Sequence, residues 1–271
     1  MKLNTIIIPS FNANQKPNPN LTLIHGWGAD SCTWEQWATE TLASNYTVTL
    51  IDLPGFGESP ILPNSSTIED DWINAIIDVL PEKTHLLGWS LGGLLAQQIA
   101  LRCPDRIQSL ICLASTPRFT QNDGWQRSVS PKIIGDFIQA IGIEVSAVLK
   151  KFWRLQLQGS DNGRALMKGL VQHMSSRKMP TIKPLNQGLI LLKDMDNRKQ
   201  LKDLKMPTLW LLGERDPLIP QEIRLNLLEL QPSAQVVVIP GGSHIPFYSQ
   251  AEETAQYIKT FLSSNSSSTH P

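Results

Sequence analysis

Short apolar runs alternate with amphipathic segments in both end regions of the chain. Several runs are almost continuously hydrophobic, which is typical of parallel strands covered on both faces. We predict strands at 21–25, 46–52, 85–88, 107–114, 208–213 and 234–239, and helices near 32–44, 67–80, 90–103, 220–230 and 251–262. This alternation predicts an α/β fold with a mostly parallel, doubly wound sheet.

One stretch, residues 116–192, interrupts the alternation because it shows helical patterns and no convincing strand. We predict that it forms a helical lid inserted over the carboxyl edge of the sheet, where open α/β sheets bind their ligands. Residues 1–115 and 193–263 then form the core. The polar residues 264–271 are predicted to be a disordered tail, since they have nothing to bury.

The composition narrows the class of protein. A chain of 271 residues with 41% hydrophobic residues and 8 Trp excludes disorder throughout. Lys plus Arg and Asp plus Glu balance at 24 each, which argues against nucleic-acid binding. No apolar run approaches the ~20 residues of a membrane span, and the three isoleucines near the start are too few for a secretory signal. Three cysteines without a CxxC pair argue against a disulfide scaffold and a Cys-based zinc site, so we expect a cytoplasmic protein. We also expect a monomer.

The most informative motif is Gly88-Trp89-Ser90-Leu91-Gly92. It follows a predicted strand and precedes an amphipathic helix, which is the context of a nucleophile elbow. Gly88 and Gly92 leave room for strand and helix to approach each other, and the N–H groups at the start of the helix favour a developing negative charge. The alternative is an ordinary Gly/Ser turn. The context favours Ser90 as a nucleophile.

A serine nucleophile needs a base that an acid orients. His244 lies in a loop after the last strand and before the last helix, so it can face the elbow serine. In this class of fold the acid lies between serine and histidine in the chain. Asp216, at the far end of the loop after strand 208–213, is our candidate. Glu214 lies directly beside the strand and is expected to pair with Arg215 or another surface charge. Weaker rivals precede that strand: Asp194, Asp196 and Asp203.

Two backbone N–H groups are expected to bind the oxyanion. One is the N–H of Leu91, which follows the serine. The other is the N–H of Trp27 in His25-Gly26-Trp27-Gly28, because the two glycines let this turn pass close to the serine. A plain Gly-rich turn is the alternative. The sequence DLPGFG at 52–57 follows the next strand and is interpreted as a structural turn.

The motifs HGWG at 25–28, DLPGFG at 52–57, GWSLGG at 88–93, GERD at 213–216 and GGSHIPF at 241–247 together resemble the α/β-hydrolase superfamily, over about residues 21–262. HGWG, the Trp of GWSLGG and FWRLQ at 152–156 make the chain similar to the pimeloyl-acyl-carrier-protein methyl ester carboxylesterases of biotin synthesis. The resemblance implies that a methyl ester is hydrolysed and methanol released, without metal or organic cofactor. It implies substrate contacts from Trp27, Ser90, Leu91, Phe152, Trp153, Arg154, Leu155, Gln156 and His244.

Positive charge concentrates in the predicted lid. Residues 116–190 hold 11 Lys and Arg against four Asp and Glu, a net charge of +7, and the rest of the chain carries −7. On a helical wheel of 145–156, one face carries Val145, Val148, Leu149, Phe152, Leu155 and Gln156, and the other carries Lys150 and Arg154 with Lys151 on its flank. We predict that the inner face lines an acyl channel and the outer face docks an acidic acyl-carrier protein. Arg164, Lys168, Arg177 and Lys178 would extend the patch, although any solvated helix shows a charged outer face.

Other functions use the same residues. A generalist short-acyl esterase, a thioesterase-like enzyme or a C–C bond hydrolase would need the same triad, and a ligand receptor could keep the fold without turnover. A dehalogenase is disfavoured, because Ser90 stands where that chemistry needs a carboxylate.

Overall fold

The structure is a computed structural model that describes residues 1–11, 18–175 and 177–266. Within these ranges the strands are β1 (Thr5–Ile8), β2 (Asn20–Ile24), β3 (Thr47–Ile51), β4 (Thr84–Trp89), β5 (Ile107–Leu113), β6 (Thr208–Gly213) and β7 (Gln235–Ile239). They form one sheet in the order β1-β3-β2-β4-β5-β6-β7. All neighbours are parallel except β1 and β3. The predicted α/β class with a mostly parallel sheet is confirmed.

The core helices cover the two faces of this sheet. They are α1 (Glu35–Thr41), α2 (Ile68–Ile77), α3 (Leu91–Arg102), α8 (Ile223–Leu230), α9 (Pro246–Ser249) and α10 (Ala251–Ser266). The helices of the insertion between β5 and β6 are α4 (Pro131–Ile141), α5 (Val145–Gln156), α6 (Gly163–Ser175) and α7 (Ile182–Asp194). No helix in the described ranges combines the length and the apolar character needed to cross a membrane.

Strand β1 was not among the predicted strands. It has only four residues at the edge of the sheet, where it pairs antiparallel with β3 from Thr5 opposite Ile51 to Ile8 opposite Val48. Ile7 is 64% exposed in the structure, yet it is as apolar as its two neighbours. The run of three isoleucines therefore lacks the alternation of apolar and polar residues that indicates a half-buried strand. The pattern therefore gave no strand signal.

Helix ends in the insertion follow from the local sequence. The Ser130 side chain accepts the N–H of Lys132 at the start of α4, and Pro131 occupies the first turn, where no donor is needed. The Glu144 side chain accepts the N–H of Ala147 in the same way for α5. Within residues 116–192, the described part contains helices and isolated bridges but no strand.

The end of the chain differs in part from the prediction of a disordered tail at 264–271. Helix α10 continues to Ser266. Ser264 Oγ donates to the carbonyl of Thr260 at 2.9 Å, and Asn265 Nδ2 donates to that of Phe261 at 2.8 Å. The helix therefore runs past its last apolar residue, Leu262, and these two polar side chains bond back to its preceding turn. Residues 267–271 lie outside the described part.

Candidate active site

Ser90 lies in the sharp turn between β4 and α3. Its φ of 54° is in the left-handed region, which costs a non-glycine residue roughly 1–3 kcal/mol. The turn is held by the Ser90 N–H, which donates to the carbonyl of Leu113 at 3.0 Å. A Cβ on Gly88 would overlap the backbone of Gly92. The glycines of the motif are therefore required by the close approach of strand and helix.

The turn after β2 passes directly beside the elbow. A Cβ on Gly26 would come within 3.1 Å of the Cβ of Ser90 and of the indole ring of Trp89. The backbone of the predicted HGWG turn is thus in contact with the nucleophile. Trp27 itself is buried, and its Nε1 donates to the carbonyl of Leu185 in α7 at 2.9 Å.

Ser90, His244 and Asp216 meet at the carboxyl edge of the sheet. Nε2 of His244 lies 2.9 Å from Oγ of Ser90, and Nδ1 lies 2.8 Å from Oδ2 of Asp216. A carboxylate only accepts, so Nδ1 carries the proton and Nε2 is free to accept the hydroxyl proton of Ser90. Ser90 is 3% exposed and His244 is fully buried, so this hydrogen-bonded chain is shielded from water.

The carboxylate of Asp216 is fixed on both oxygens. While Oδ2 faces His244, Oδ1 accepts the N–H groups of Leu218 at 2.8 Å and Ile219 at 3.0 Å. The expected pairing of Glu214 with Arg215 is wrong. Glu214 instead accepts the N–H of Gly241, and the guanidinium of Arg215 pairs with Asp161 in the insertion at 2.6 Å.

Two of the three rival carboxylates form surface ion pairs, and the carboxylate that contacts His244 is that of Asp216. Asp194 is 3.8 Å from the Nζ of Lys193, and Asp196 binds both Arg198 and Arg118. Asp203 ends the short 3₁₀ helix before β6 and is exposed. The geometry therefore singles out Asp216 among the candidates.

Two other buried histidines have local partners. Nδ1 of His25 donates to the carbonyl of Gly26, and its Nε2 accepts the N–H of Leu53, which joins the HGWG and DLPGFG turns. Burial lowers the pKa of His25 despite the nearby carboxylate of Asp52. His85 bonds to Ser109, and burial lowers its pKa to about 4. Both rings are neutral parts of the framework.

The sequence predicts that the backbone N–H groups of Leu91 and Trp27 bind an oxyanion. Leu91 is the first residue of α3, and the first N–H groups of a helix have no acceptor within it. In the described part of the chain, the N–H groups of Leu91 and Trp27 donate to no other backbone carbonyl. Leu91 directly follows Ser90, and Trp27 follows Gly26, where a Cβ would lie 3.1 Å from the Cβ of Ser90.

The inner face of α5 lies against the elbow side of the core, with Val148, Leu149, Phe152 and Gln156 buried. The ring of Phe152 packs edge-on against Trp27 at 4.8 Å, and Leu155 is half-buried. Trp153 is also buried, and its indole N–H donates to the carbonyl of Gly28 at 3.0 Å. The carbonyl of Gln156 accepts the N–H of His244 at 3.1 Å. The insertion thus contacts both the HGWG turn and the histidine loop.

The outer face of α5 is basic, as the helical wheel indicates. Lys150, Lys151 and Arg154 are exposed, and so are Arg164 and Lys168 on α6. A surface groove of about 740 Å³ runs between Arg154 and Arg164. Arg177 does not extend this patch. It pairs with the buried carboxylate of Asp30 at 3.1 Å, because the end of α6 packs against the core at that point.

Sequence reasoning gave Trp89 no contact of its own. Its indole N–H donates to the main-chain carbonyl of His244 at 2.8 Å. The GxSxG pattern leaves this position open to any residue, so the motif alone predicts no role for Trp89. The pairing of Asp30 with Arg177 carried no sequence signal, since the two residues are 147 positions apart.

Fold and site together define an α/β hydrolase. The chain belongs to this family, because the family model described as alpha/beta hydrolase fold matches residues 19–251. Curated relatives are closely similar over nearly the whole chain. The chain is 38% identical over 245 residues to pimeloyl-[acyl-carrier protein] methyl ester esterase of Aeromonas salmonicida, covering 90% of this chain and 95% of that protein. It is 34% identical over 254 residues to the protein of the same name from Aliivibrio fischeri, covering 94% and 97%.

Solved structures share the architecture. An esterase from Exiguobacterium antarcticum matches with a TM-score of 0.83 at 21% identity, over 96% of this chain and 95% of that one. The enol-lactonase from Burkholderia xenovorans matches with a TM-score of 0.82 at 20% identity, over 96% of both chains. At these identities the likeness shows the fold alone.

Proposed function

We propose that this chain is a serine carboxylesterase that hydrolyses the methyl ester of pimeloyl-acyl-carrier protein in biotin synthesis. The observation that carries the proposal is the imidazole of His244, placed 2.9 Å from the hydroxyl of Ser90 and 2.8 Å from the carboxylate of Asp216. The substrate follows from the relatives of that name at 34–38% identity. A cytoplasmic location is part of the proposal, since the proposed substrate belongs to biotin synthesis.

The geometry supports acyl transfer through Ser90. Nε2 of His244 takes the hydroxyl proton as Oγ bonds to the ester carbon, and Asp216 stabilises the imidazolium. The imidazolium then gives the proton to the methoxy oxygen, the C–O bond breaks, and methanol leaves an acyl-serine. Water attacks this second ester with the same histidine as base, which releases the acid and restores the hydroxyl.

The N–H groups of Leu91 and Trp27 are the proposed oxyanion donors. Their support is that both flank the Ser90 turn and neither serves another backbone carbonyl in the described residues. Donors fixed on a helix start and a tight turn need no reorganisation as charge develops on the carbonyl oxygen.

The inner face of α5 is proposed to contact the acyl chain, through Phe152, Trp153, Leu155 and Gln156. Phe152 and Trp27 together form an aromatic wall beside the elbow. Gln156 is 1% exposed, and its side-chain Oε1 has no partner among the described residues. Burying a polar atom without a partner costs free energy, so a donor group on the substrate would be favourable there.

The outer face is proposed to dock the acyl-carrier protein. Lys150, Lys151 and Arg154 are exposed on α5, and Arg164 and Lys168 are exposed on α6. Arg154 and Arg164 line the groove between the two helices. A chain with zero net charge that holds +7 in one segment attracts an acidic partner to that segment. Arg154 belongs to this outer face, because its side chain is exposed.

The test is hydrolysis of pimeloyl-acyl-carrier protein methyl ester by the purified chain, followed by the mass of the carrier and by release of methanol. We expect turnover, and a loss on the order of 10⁴-fold in Ser90→Ala, since members of a triad act as a unit. Rescue of a biotin-requiring strain that lacks its methylesterase should depend on Ser90 in the same way.

Three outcomes would contradict the proposal. Hydrolysis of p-nitrophenyl esters without turnover of the carrier substrate would indicate a generalist esterase. Cleavage of diketones instead of esters would indicate a C–C bond hydrolase. Tight binding of a ligand without any turnover would indicate a receptor that retains the fold.

A further inference from the structure

The main chain of His244 is held from two sides. Its N–H donates to the carbonyl of Gln156, the last residue of α5, at 3.1 Å. Its carbonyl accepts the indole N–H of Trp89 at 2.8 Å. With Ser90 and Asp216 on the two ring nitrogens, every hydrogen-bonding group of this residue is engaged.

We propose that Trp89 is a positioning residue for the reaction: its indole N–H fixes the peptide of His244 and so holds Nε2 within reach of Ser90. The inference rests on the proposed function, in that His244 is taken as the base. Trp89 is the last residue of β4 and immediately precedes Ser90. The group that holds the base therefore lies at the end of a buried strand, and the nucleophile is the next residue, in the turn that follows.

The indole of Trp89 has little freedom to move. It is 1% exposed, its ring packs edge-on against Phe247 at 5.1 Å, and the imidazole of His244 lies 6.1 Å away. On a further side, Gly26 leaves only enough space for the ring. A donor locked in this way specifies the position of the acceptor peptide, and a misplacement of 1 Å in a catalytic group can cost about 10²-fold in rate.

Trp34 provides a matched control in the same aromatic cluster. Its ring is fully buried, 6.2 Å from that of Trp89 and 5.3 Å from that of Phe247. Within the described residues its Nε1 has no hydrogen-bond partner. Trp34→Phe and Trp89→Phe therefore remove the same atoms from the same cluster, and only the second removes a hydrogen bond to His244.

The experiment compares the two variants by kcat and KM for p-nitrophenyl acetate and by the far-downfield proton resonance of the Nδ1–H of His244. We expect Trp89→Phe to lower kcat about 10- to 100-fold with KM nearly unchanged, and to shift or broaden the resonance. Trp34→Phe should keep kcat within about threefold and leave the resonance in place. Equal kcat in the two variants, or an unchanged resonance in Trp89→Phe, would overturn the proposal.

A second replacement keeps the test decisive if Trp89→Phe does not fold. Benzothienylalanine at position 89 has nearly the shape of tryptophan and a sulfur in place of the N–H, so it deletes the donor and preserves packing. It should reproduce the loss in kcat, and a kcat like that of the native protein would refute the positioning role. Because p-nitrophenyl acetate reports the triad alone, failure of the carrier substrate would count against the proposed function and not against Trp89.

Discussion

Replacing Asp216 by asparagine changes the triad with the least change in shape. In the native site Oδ1 accepts the N–H groups of Leu218 and Ile219, and Oδ2 faces Nδ1 of His244 at 2.8 Å. An asparagine keeps both amide donors satisfied only if its oxygen takes the Oδ1 position. Its NH₂ group is then turned toward His244.

This NH₂ group is a donor, so Nδ1 of His244 must become an acceptor and the ring proton moves to Nε2. A ring protonated there cannot take the proton of Ser90, whose Oγ lies 2.9 Å away. We expect kcat to fall about 10⁴-fold, the effect of this change in a well-studied serine protease triad. That loss corresponds to about 5.5 kcal/mol in the activation barrier. The temperature of thermal unfolding should change little, because the hydrogen bonds from the N–H groups of Leu218 and Ile219 remain.

The assay is hydrolysis of p-nitrophenyl acetate and of the carrier-linked ester, with thermal unfolding measured on the same preparations. Glu214→Gln is the matched control, since Glu214 lies two residues away and accepts the N–H of Gly241 with an oxygen that glutamine retains. The control should keep kcat within about threefold. If Asp216→Asn kept kcat within about tenfold of the native value, the tautomer argument would be refuted.

Two further predictions concern the surface of the insertion and a buried histidine of the core. Reversing Lys150 and Arg154 to Glu should lower kcat/KM for the carrier-linked ester about tenfold or more at low salt and spare p-nitrophenyl acetate. The control, Lys199→Glu with Lys202→Glu, makes the same charge change outside the insertion. Equal losses on both substrates in the Lys150 and Arg154 variant would speak against docking. The pKa of His85 is lowered by burial from 6.5 to about 4, so its stabilising effect is full above pH 6.5 and is lost as the pH falls from 6.5 to 4. Between pH 7 and pH 5, the free energy of unfolding measured in urea should fall by about 2 kcal/mol less in His85→Gln than in the native protein. Equal decreases in the two proteins would contradict the lowered pKa of His85.

The sequence predicted best where local pattern and chemistry agree. Ser90 stands in a motif whose neighbours are dictated by backbone contact, and His244 and Asp216 follow from chain order and from loops at one edge of the sheet. The helical wheel of α5 correctly separated buried Phe152 from exposed Lys150, because the 3.6-residue period of a helix determines which residues share a face. These features depend on residues close together in the chain or on a known topology.

The remaining features depend on contacts between distant segments. Trp153 gave no sign that its indole N–H would bind the carbonyl of Gly28, 125 residues away. The sequence around Arg177 is that of an ordinary surface cation and does not indicate its ion pair with Asp30. Such partners are set by how the insertion packs against the core, which the local pattern does not encode.

The hydrogen bond from the His244 N–H to the carbonyl of Gln156 links the outside of the molecule to its interior. Any displacement of the carboxyl end of α5 away from the core breaks that bond. A macromolecule that holds α5 in its seated position therefore favours the orientation of the imidazole without touching it. If a partner bound to the outside of α5 changes the affinity of the active site for a ligand at Ser90, that ligand changes the affinity of α5 for the partner by the same factor. Binding of the acyl group at Ser90 and binding of the carrier protein at α5 would then strengthen each other.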